Sequence, residues 1–217
     1  GYATLQMDFS GCGKSDDDVI SLENQIEDLK AVAGWLTERG FDQQILHADG
    51  SGALAALRAV PDKVQALVLT APILGPAEVP WEDVFSSSQL AELEQVGHTR
   101  IPNDQGASRQ YFVIGKQTLK ELTIVDTEKL LQDIALPTLF VVDPQTLASQ
   151  WFAPLLNDPQ ALLPPNCELL ILDQLSLYGV LPSNYRKLGG GYEDADKVDF
   201  LRNQILTWVT RTVSPTT

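Results

Sequence analysis

The sequence has few cysteines and few basic residues, and each shortage argues against a kind of site or partner. Cys12 and Cys167 are the only cysteines, so we predict neither a disulfide framework nor a cysteine-based metal site. The 15 Lys and Arg residues are outnumbered by 29 Asp and Glu residues, for a formal net charge of −14. Such a surface repels phosphate, so nucleic acid is not an expected partner. No apolar run reaches the roughly 18 residues of a membrane-spanning helix.

The remaining composition is typical of one globular domain. The chain has 217 residues, of which 44% are hydrophobic, enough for a well-buried core. We find no signal-peptide pattern and expect a soluble protein of a reducing compartment, the cytosol or the interior of an organelle. The sequence starts at Gly1 instead of Met, so we expect the natural N-terminus to lie upstream or to have been removed. No cofactor is predicted.

Apolar runs alternate with helical patterns along most of the chain. The alternation indicates a three-layer α/β/α fold with a mostly parallel sheet. Residues 73–126 interrupt it with scattered Pro, Gly and polar residues, and we interpret them as a small cap inserted into a single domain whose core is 1–72 and 127–217. The predicted strands are 3–8, 44–48, 64–70, 138–142 and 168–172, and the predicted helices are 22–38, 53–59, 88–95, 128–134, 147–156 and 195–209.

Four motifs, in the same order along the chain, resemble those of the α/β-hydrolase family, especially its small esterases and aminopeptidase-like members. Residues 8–15, DFSGCGKS, are similar to the family's D-x-x-G-x-G-x-S turn. Residues 45–54, ILHADGSGAL, resemble the strand, elbow and helix that carry the nucleophile. Residues 61–72 and 136–142 resemble the next two strands. The resemblance covers nearly the whole chain and implies the same fold.

The resemblance places Gly50 at the nucleophile position of the elbow, which in the family reads G-x-S-x-G. A shift by one residue would make Ser51 the nucleophile. That register puts Asp49 and Ala53 where the tight turn favours glycine, whereas the unshifted register has small residues there. We therefore predict that Gly50 forms the turn with a positive φ and that Ser51 already belongs to the following helix.

The positions of the catalytic acid and the general base are also altered. The resemblance implies the acid at Thr146, and we interpret the nearby Asp143 as a helix N-cap. It implies the histidine at about Leu177, but the only histidines, His47 and His98, come earlier. We expect His47 to be a core histidine with a hydrogen-bond partner and His98 to lie at the surface.

We therefore interpret the chain as a pseudoenzyme: a non-catalytic α/β-hydrolase-like protein that acts as a structural or protein-interaction subunit of a larger assembly. Gly50, Thr146 and Leu177 are expected to lie close together at the degenerate centre. A serine without a general base is a poor nucleophile. Binding of a small-molecule ligand is an open alternative.

The alternative is a carboxylic-ester or peptide hydrolase with a non-standard catalytic set, in which Ser51 acts with Asp143 or His47. A third interpretation is nucleotide binding, because residues 11–15, GCGKS, resemble the end of a P-loop. That motif requires glycine where the chain has Asp8, and the acidic residues 16–18 would repel phosphate.

The interaction surfaces are predicted from the resemblance and from charge. The family's third strand, which lies between the fourth and the fifth, would precede Gly1, so we expect an open sheet edge near residues 2–6. The acidic charge serves solubility or suits a basic protein partner. The candidate contact residues are Trp81, Val84 and Phe85 in the cap and Tyr2 at the edge.

Overall fold

The computed structural model describes residues 2–76, 80–103, 109–144, 146, 163–172 and 195–213. The chain divides into two compact units. The turn unit consists of Gly1–Asp28 and Pro76–Val125, and the sheet unit of Leu29–Gly75 and Asp126–Thr217. The predicted cap, 73–126, overlaps the second segment of the turn unit, while the single-domain arrangement stays a prediction. Within the described residues, no helix is long and apolar enough to cross a membrane.

Among the described residues, the sheet unit contains four parallel strands in the order β2-β3-β6-β7. The interiors of the two central strands are apolar runs, ALVL in β3 and LFVV in β6, which is the pattern of strands covered on both faces. All five residues of β6 are buried, as are six of the seven in β3. The strands are β2 (Gln44–Asp49), β3 (Val64–Thr70), β6 (Thr138–Val142) and β7 (Cys167–Ile171), with helices α2 (Gly52–Ala59), α6 (Thr127–Gln132) and α7 (Ala195–Thr212).

One part of the core of the sheet unit lies between one face of the sheet and α7, while Leu67, Leu69 and Phe140 are buried on the opposite face. Alternate residues of β3 and β6, Val68 and Val141 among them, pack against Trp208 and Val209 of α7. The Trp208 indole Nε1–H donates to the Glu168 carboxylate of β7 at 3.0 Å, which satisfies the only polar atom of that buried ring. Because the four strands are parallel, their carboxyl ends lie at the same end of the sheet.

Helix α1 (Leu22–Thr37) begins in the turn unit and ends in the sheet unit. Ser21 caps its start, because the Ser21 hydroxyl accepts from the Asn24 N–H at 3.0 Å. At its end, Gly40 adopts φ +82°, and the Phe41 N–H donates to the Leu36 carbonyl, a Schellman-type termination.

The turn unit contains three short strands in the order β1-β5-β4, with β1 parallel and β4 antiparallel to β5. A small apolar cluster of Phe85, Leu93 and Leu119 is its core. The Ser86 side chain and the Gln89 side chain form a capping box at the start of α4. The elements are β1 (Val19–Ile20), α3 (Trp81–Val84), α4 (Ser87–Gln95), β4 (His98–Pro102), β5 (Tyr111–Gly115) and α5 (Lys116–Thr123).

Most predicted elements of the sheet unit are confirmed. The strands predicted at 64–70 and 138–142 have the observed bounds, the strand predicted at 44–48 extends one residue further, to Asp49, and the strand predicted at 168–172 is displaced by one residue. The helices predicted at 22–38, 53–59, 128–134 and 195–209 are present with ends that differ by one to three residues, and so is the helix predicted at 88–95, which lies in the turn unit. The helix predicted at 147–156 falls outside the described residues.

The strand predicted at residues 3–8 is wrong. These residues form no regular structure, and the first strand is the two-residue β1, which follows the Gly-rich turn. A strand requires a hydrogen-bonded neighbour, and no described strand pairs with this segment. Tyr2 and Leu5 are about half exposed, so the apolar residues that suggested a strand are not buried. The sheet edge predicted near residues 2–6 is therefore also wrong.

Candidate functional site

The turn between β2 and α2 is formed by Gly50. Its φ is +55°, a conformation that favours glycine, and β2 ends one residue before it. The Gly50 N–H donates to the Thr70 carbonyl at 3.0 Å, and the Gly50 carbonyl accepts from the Ile73 N–H at 3.0 Å. Two backbone hydrogen bonds thus hold this turn against the end of β3. The predicted position and positive φ of Gly50 are confirmed.

Ser51 follows the turn and stands at the N-cap of α2. Its φ of −68° and ψ of −22° are helical, and its carbonyl accepts from the Leu54 N–H at 3.3 Å. Both features agree with the prediction that Ser51 already belongs to the helix. The residue is exposed, and its side chain makes no capping hydrogen bond. A hydroxyl therefore lies next to the turn, one residue beyond the position that the family uses.

His47 and Asp49 project from β2 on the face of the sheet that α7 covers. The His47 Nε2 lies 2.8 Å from the Thr70 Oγ1, so the predicted hydrogen-bond partner exists. His47 is not a core residue, because β2 is the outermost of the described strands of its sheet and the histidine stays exposed. Partial burial of the ring nevertheless lowers the pKa of His47, which is therefore neutral at pH 7. The sequence did not indicate Thr70, the polar residue that ends the buried apolar strand β3, as the partner of His47.

Asp49 pairs with Thr70 in the β2–β3 register. Partial burial raises the pKa of the Asp49 carboxyl, and the Gly50 N–H, which donates to it, opposes that shift. The exposed fraction of this side chain remains large, so the effect on its charge is small. A neutral imidazole, a carboxylate and a hydroxyl thus lie together at the carboxyl end of β2 and β3.

Asp143 follows β6 and is buried, with 4% of its surface exposed. Its Oδ1 accepts from the Thr146 backbone N–H at 2.7 Å, which is the N-cap interaction inferred from the sequence. Thr146 is half-buried. Leu177 lies outside the described residues, so the expected proximity of Gly50, Thr146 and Leu177 stays a prediction. His98 begins β4 and is exposed, as predicted.

Solved structures share this fold, although no family model and no curated protein matches the sequence. The α/β hydrolase GrgF from Penicillium sp. sh18 matches with a TM-score of 0.65 and 18% identity, covering 96% of this chain and 79% of that chain. The monoacylglycerol lipase of Paleococcus ferrophilus matches with a TM-score of 0.61 and 14% identity, covering 94% and 82%. A putative hydrolase from Agrobacterium vitis S4 matches at 0.58 and 19%, covering 93% and 74%.

The chain has the α/β-hydrolase fold. At these identities the likeness shows the fold and not an activity. The sequence resemblance places the nucleophile elbow, a strained strand-to-helix turn that exposes a side chain at the end of the sheet, at Gly50, and this correspondence stays a prediction.

The candidate contact residues are divided between core and surface. Trp81 is partly buried and Phe85 is 5% exposed, and their ring centroids lie 5.9 Å apart within the small cluster of the turn unit. The Phe85 side chain thus forms core and cannot contact a partner without unfolding. Val84 and Tyr2 are exposed by 53% and 51%.

The Gly-rich turn of this α/β-hydrolase-fold protein binds its own aspartate. The Asp8 carboxylate accepts from the Lys14 N–H at 3.0 Å, and a Cβ on Gly13 would lie 2.2 Å from the Asp8 carboxyl carbon. Arg109, which sequence reasoning missed, donates to the Ser15 carbonyl at 2.5 Å and pairs with Asp17. Since the Asp8 carboxylate lies where a P-loop would receive phosphate, the turn is not arranged for a nucleotide.

The described residues contain no group of three His, Cys, Asp or Glu side chains suited to a metal ion. Burial raises the pKa of the Cys12 thiol above its usual value and that of Cys167 to about 11. Neither thiol is activated as a nucleophile, because the reactive species is the thiolate.

Proposed function

We propose that this protein is a non-catalytic α/β-hydrolase-fold protein that serves as an interaction subunit of a larger assembly. The single observation that carries the proposal is Gly50 at the elbow, with φ +55° and no side chain. Ser51 is the N-cap of α2, one residue beyond Gly50, and its side chain makes no capping hydrogen bond. In this fold the nucleophile needs both the strained turn and a histidine base.

The absence of a late histidine supports the same proposal. The sequence has two histidines and none after residue 98. His47 is hydrogen-bonded to Thr70 on the neighbouring strand, and His98 belongs to the turn unit. Asp143 is engaged by the Thr146 N–H, which is a structural role. His47 and Asp143, the candidate partners of a serine nucleophile, thus each have a hydrogen-bond partner in the described structure.

The outer edge of β2 is the surface that we propose for strand pairing. The Gln44 and Gly50 N–H groups donate to β3, so the backbone groups of the alternating residues Ile45, His47 and Asp49 face the outer edge. Among the described residues, none pairs with this edge. It carries neither Lys nor Pro, the residues that usually protect an edge strand, so it suits the addition of an extended segment.

A carboxylic-ester or peptide hydrolase with a non-standard catalytic set is the second candidate. The exposed, uncapped Ser51 hydroxyl next to the elbow favours it, together with a neutral imidazole on the preceding strand. The names of the structural neighbours, which include a lipase and a putative hydrolase, also favour this candidate over the first. Ser51 would be the nucleophile, with His47 or Asp143 as its partner.

An esterase and peptidase assay decides between the two candidates. We expect turnover of p-nitrophenyl esters and of a short amide substrate at the buffer rate, unchanged by Ser51→Ala. The control is Ser87→Ala, which removes an equally exposed hydroxyl from α4. Hydrolysis above the buffer rate that Ser51→Ala abolishes and Ser87→Ala leaves intact would replace the first candidate by the second.

Size-exclusion chromatography with light scattering on the natural protein tests the assembly. Because the net charge is −14, a basic partner in a native extract should bind at low salt and dissociate at high salt, so we expect a mass above that of the monomer at low salt and a smaller mass at high salt. Asp49→Lys at the β2 edge should reduce the association, whereas Glu23→Lys on the exposed side of α1 should reduce it less. A monomer at both salt concentrations would contradict the assembly.

A further inference from the structure

We draw no further inference here: the strongest candidate, the outer edge of β2 with the exposed side chains of His47 and Asp49, belongs to the surface already proposed, and nothing in the structure shows what covers it.

Discussion

The sheet unit and the turn unit are stabilised in different ways. In the sheet unit, a cluster of nine buried residues packs between parallel strands and α7, and further apolar residues such as Leu69 and Phe140 are buried outside that cluster, whereas the apolar cluster described for the turn unit has three buried residues. The turn unit also has polar contacts, such as the Ser10 N–H and hydroxyl, which donate to the Asp28 carboxylate at 2.8 and 2.9 Å. Apolar burial over many strands tolerates little change in shape, while a small cluster can close around a smaller side chain.

The largest expected effect compares one phenylalanine of each unit. Phe140 is fully buried in β6, and Phe140→Ala should lower the free energy of unfolding by about 3–5 kcal/mol. Phe85 lies in the small cluster of the turn unit, and Phe85→Ala should cost less, about 3 kcal/mol or below. Urea unfolding of both variants measures the difference. A Phe85→Ala loss equal to or larger than that of Phe140→Ala would contradict the comparison.

A smaller effect is expected from one buried amide of the sheet unit. The Gln44 side-chain NH₂ donates to the Ala33 carbonyl at 2.9 Å, and to the Thr37 hydroxyl and the Phe41 carbonyl at 3.0 Å. Gln44→Leu removes these hydrogen bonds, although the Ala33 carbonyl still accepts from the Thr37 hydroxyl, and should cost about 1–3 kcal/mol in unfolding free energy.

Gln43→Leu is the matched control, because Gln43 is the exposed neighbour of Gln44. It should change the unfolding free energy by less than about 0.5 kcal/mol. If the two variants lose the same stability, the amide does not hold the end of α1.

Two exposed valines, one in each unit, allow a test of backbone strain. Val60 ends α2 with φ +28°, where a β-branched residue is strained, while Val96 ends α4 with an ordinary φ of −118°. Val60→Gly should raise the unfolding free energy by about 0.5–1 kcal/mol, and Val96→Gly should lower it by a similar amount. Thermal unfolding of both variants gives the signs. Destabilisation by Val60→Gly would show that Val60 is not strained.

The smallest effect is the pH dependence due to His47. Because its pKa in the folded protein lies below the ordinary value of 6.5, the unfolded chain binds the proton more tightly. The contribution of His47 is therefore constant above pH 6.5, and stability is lost as the pH falls below that value. His47→Gln, measured by thermal unfolding between pH 7.5 and 5.5, should flatten this part of the curve. An NMR titration midpoint of His47 above 6.5 would reverse the sign.

The sequence predicted the sheet unit better than the turn unit for a physical reason. Buried parallel strands are continuous apolar runs, so the strands at Val64–Thr70 and Thr138–Val142 are visible without knowledge of their neighbours. The apolar residues at 3–8 look similar, but whether they form a strand depends on a pairing partner that the pattern does not contain. The β4–β5 pair was missed, although the run Tyr111–Gly115, YFVIG, carries the aromatic and β-branched residues of a strand.

The candidate site was predictable where it depends on backbone geometry. Glycine at the turn of a strand-to-helix elbow indicates a positive φ, and Gly50 has it. The contact between His47 and Thr70 was not predictable, because it depends on the register between β2 and β3. The Arg109 contacts with the Gly-rich turn join residues more than 90 positions apart, for which the sequence contains no local signal.

The central claim, that Gly50 leaves the elbow without a nucleophile, is tested most directly by covalent labelling. The natural protein is incubated with a fluorophosphonate probe, and its intact mass is measured beside that of Ser51→Ala and an active serine esterase. We predict no adduct on either form of this protein and complete labelling of the esterase. A stoichiometric adduct that peptide mapping places on Ser51, and that Ser51→Ala loses, would contradict the claim.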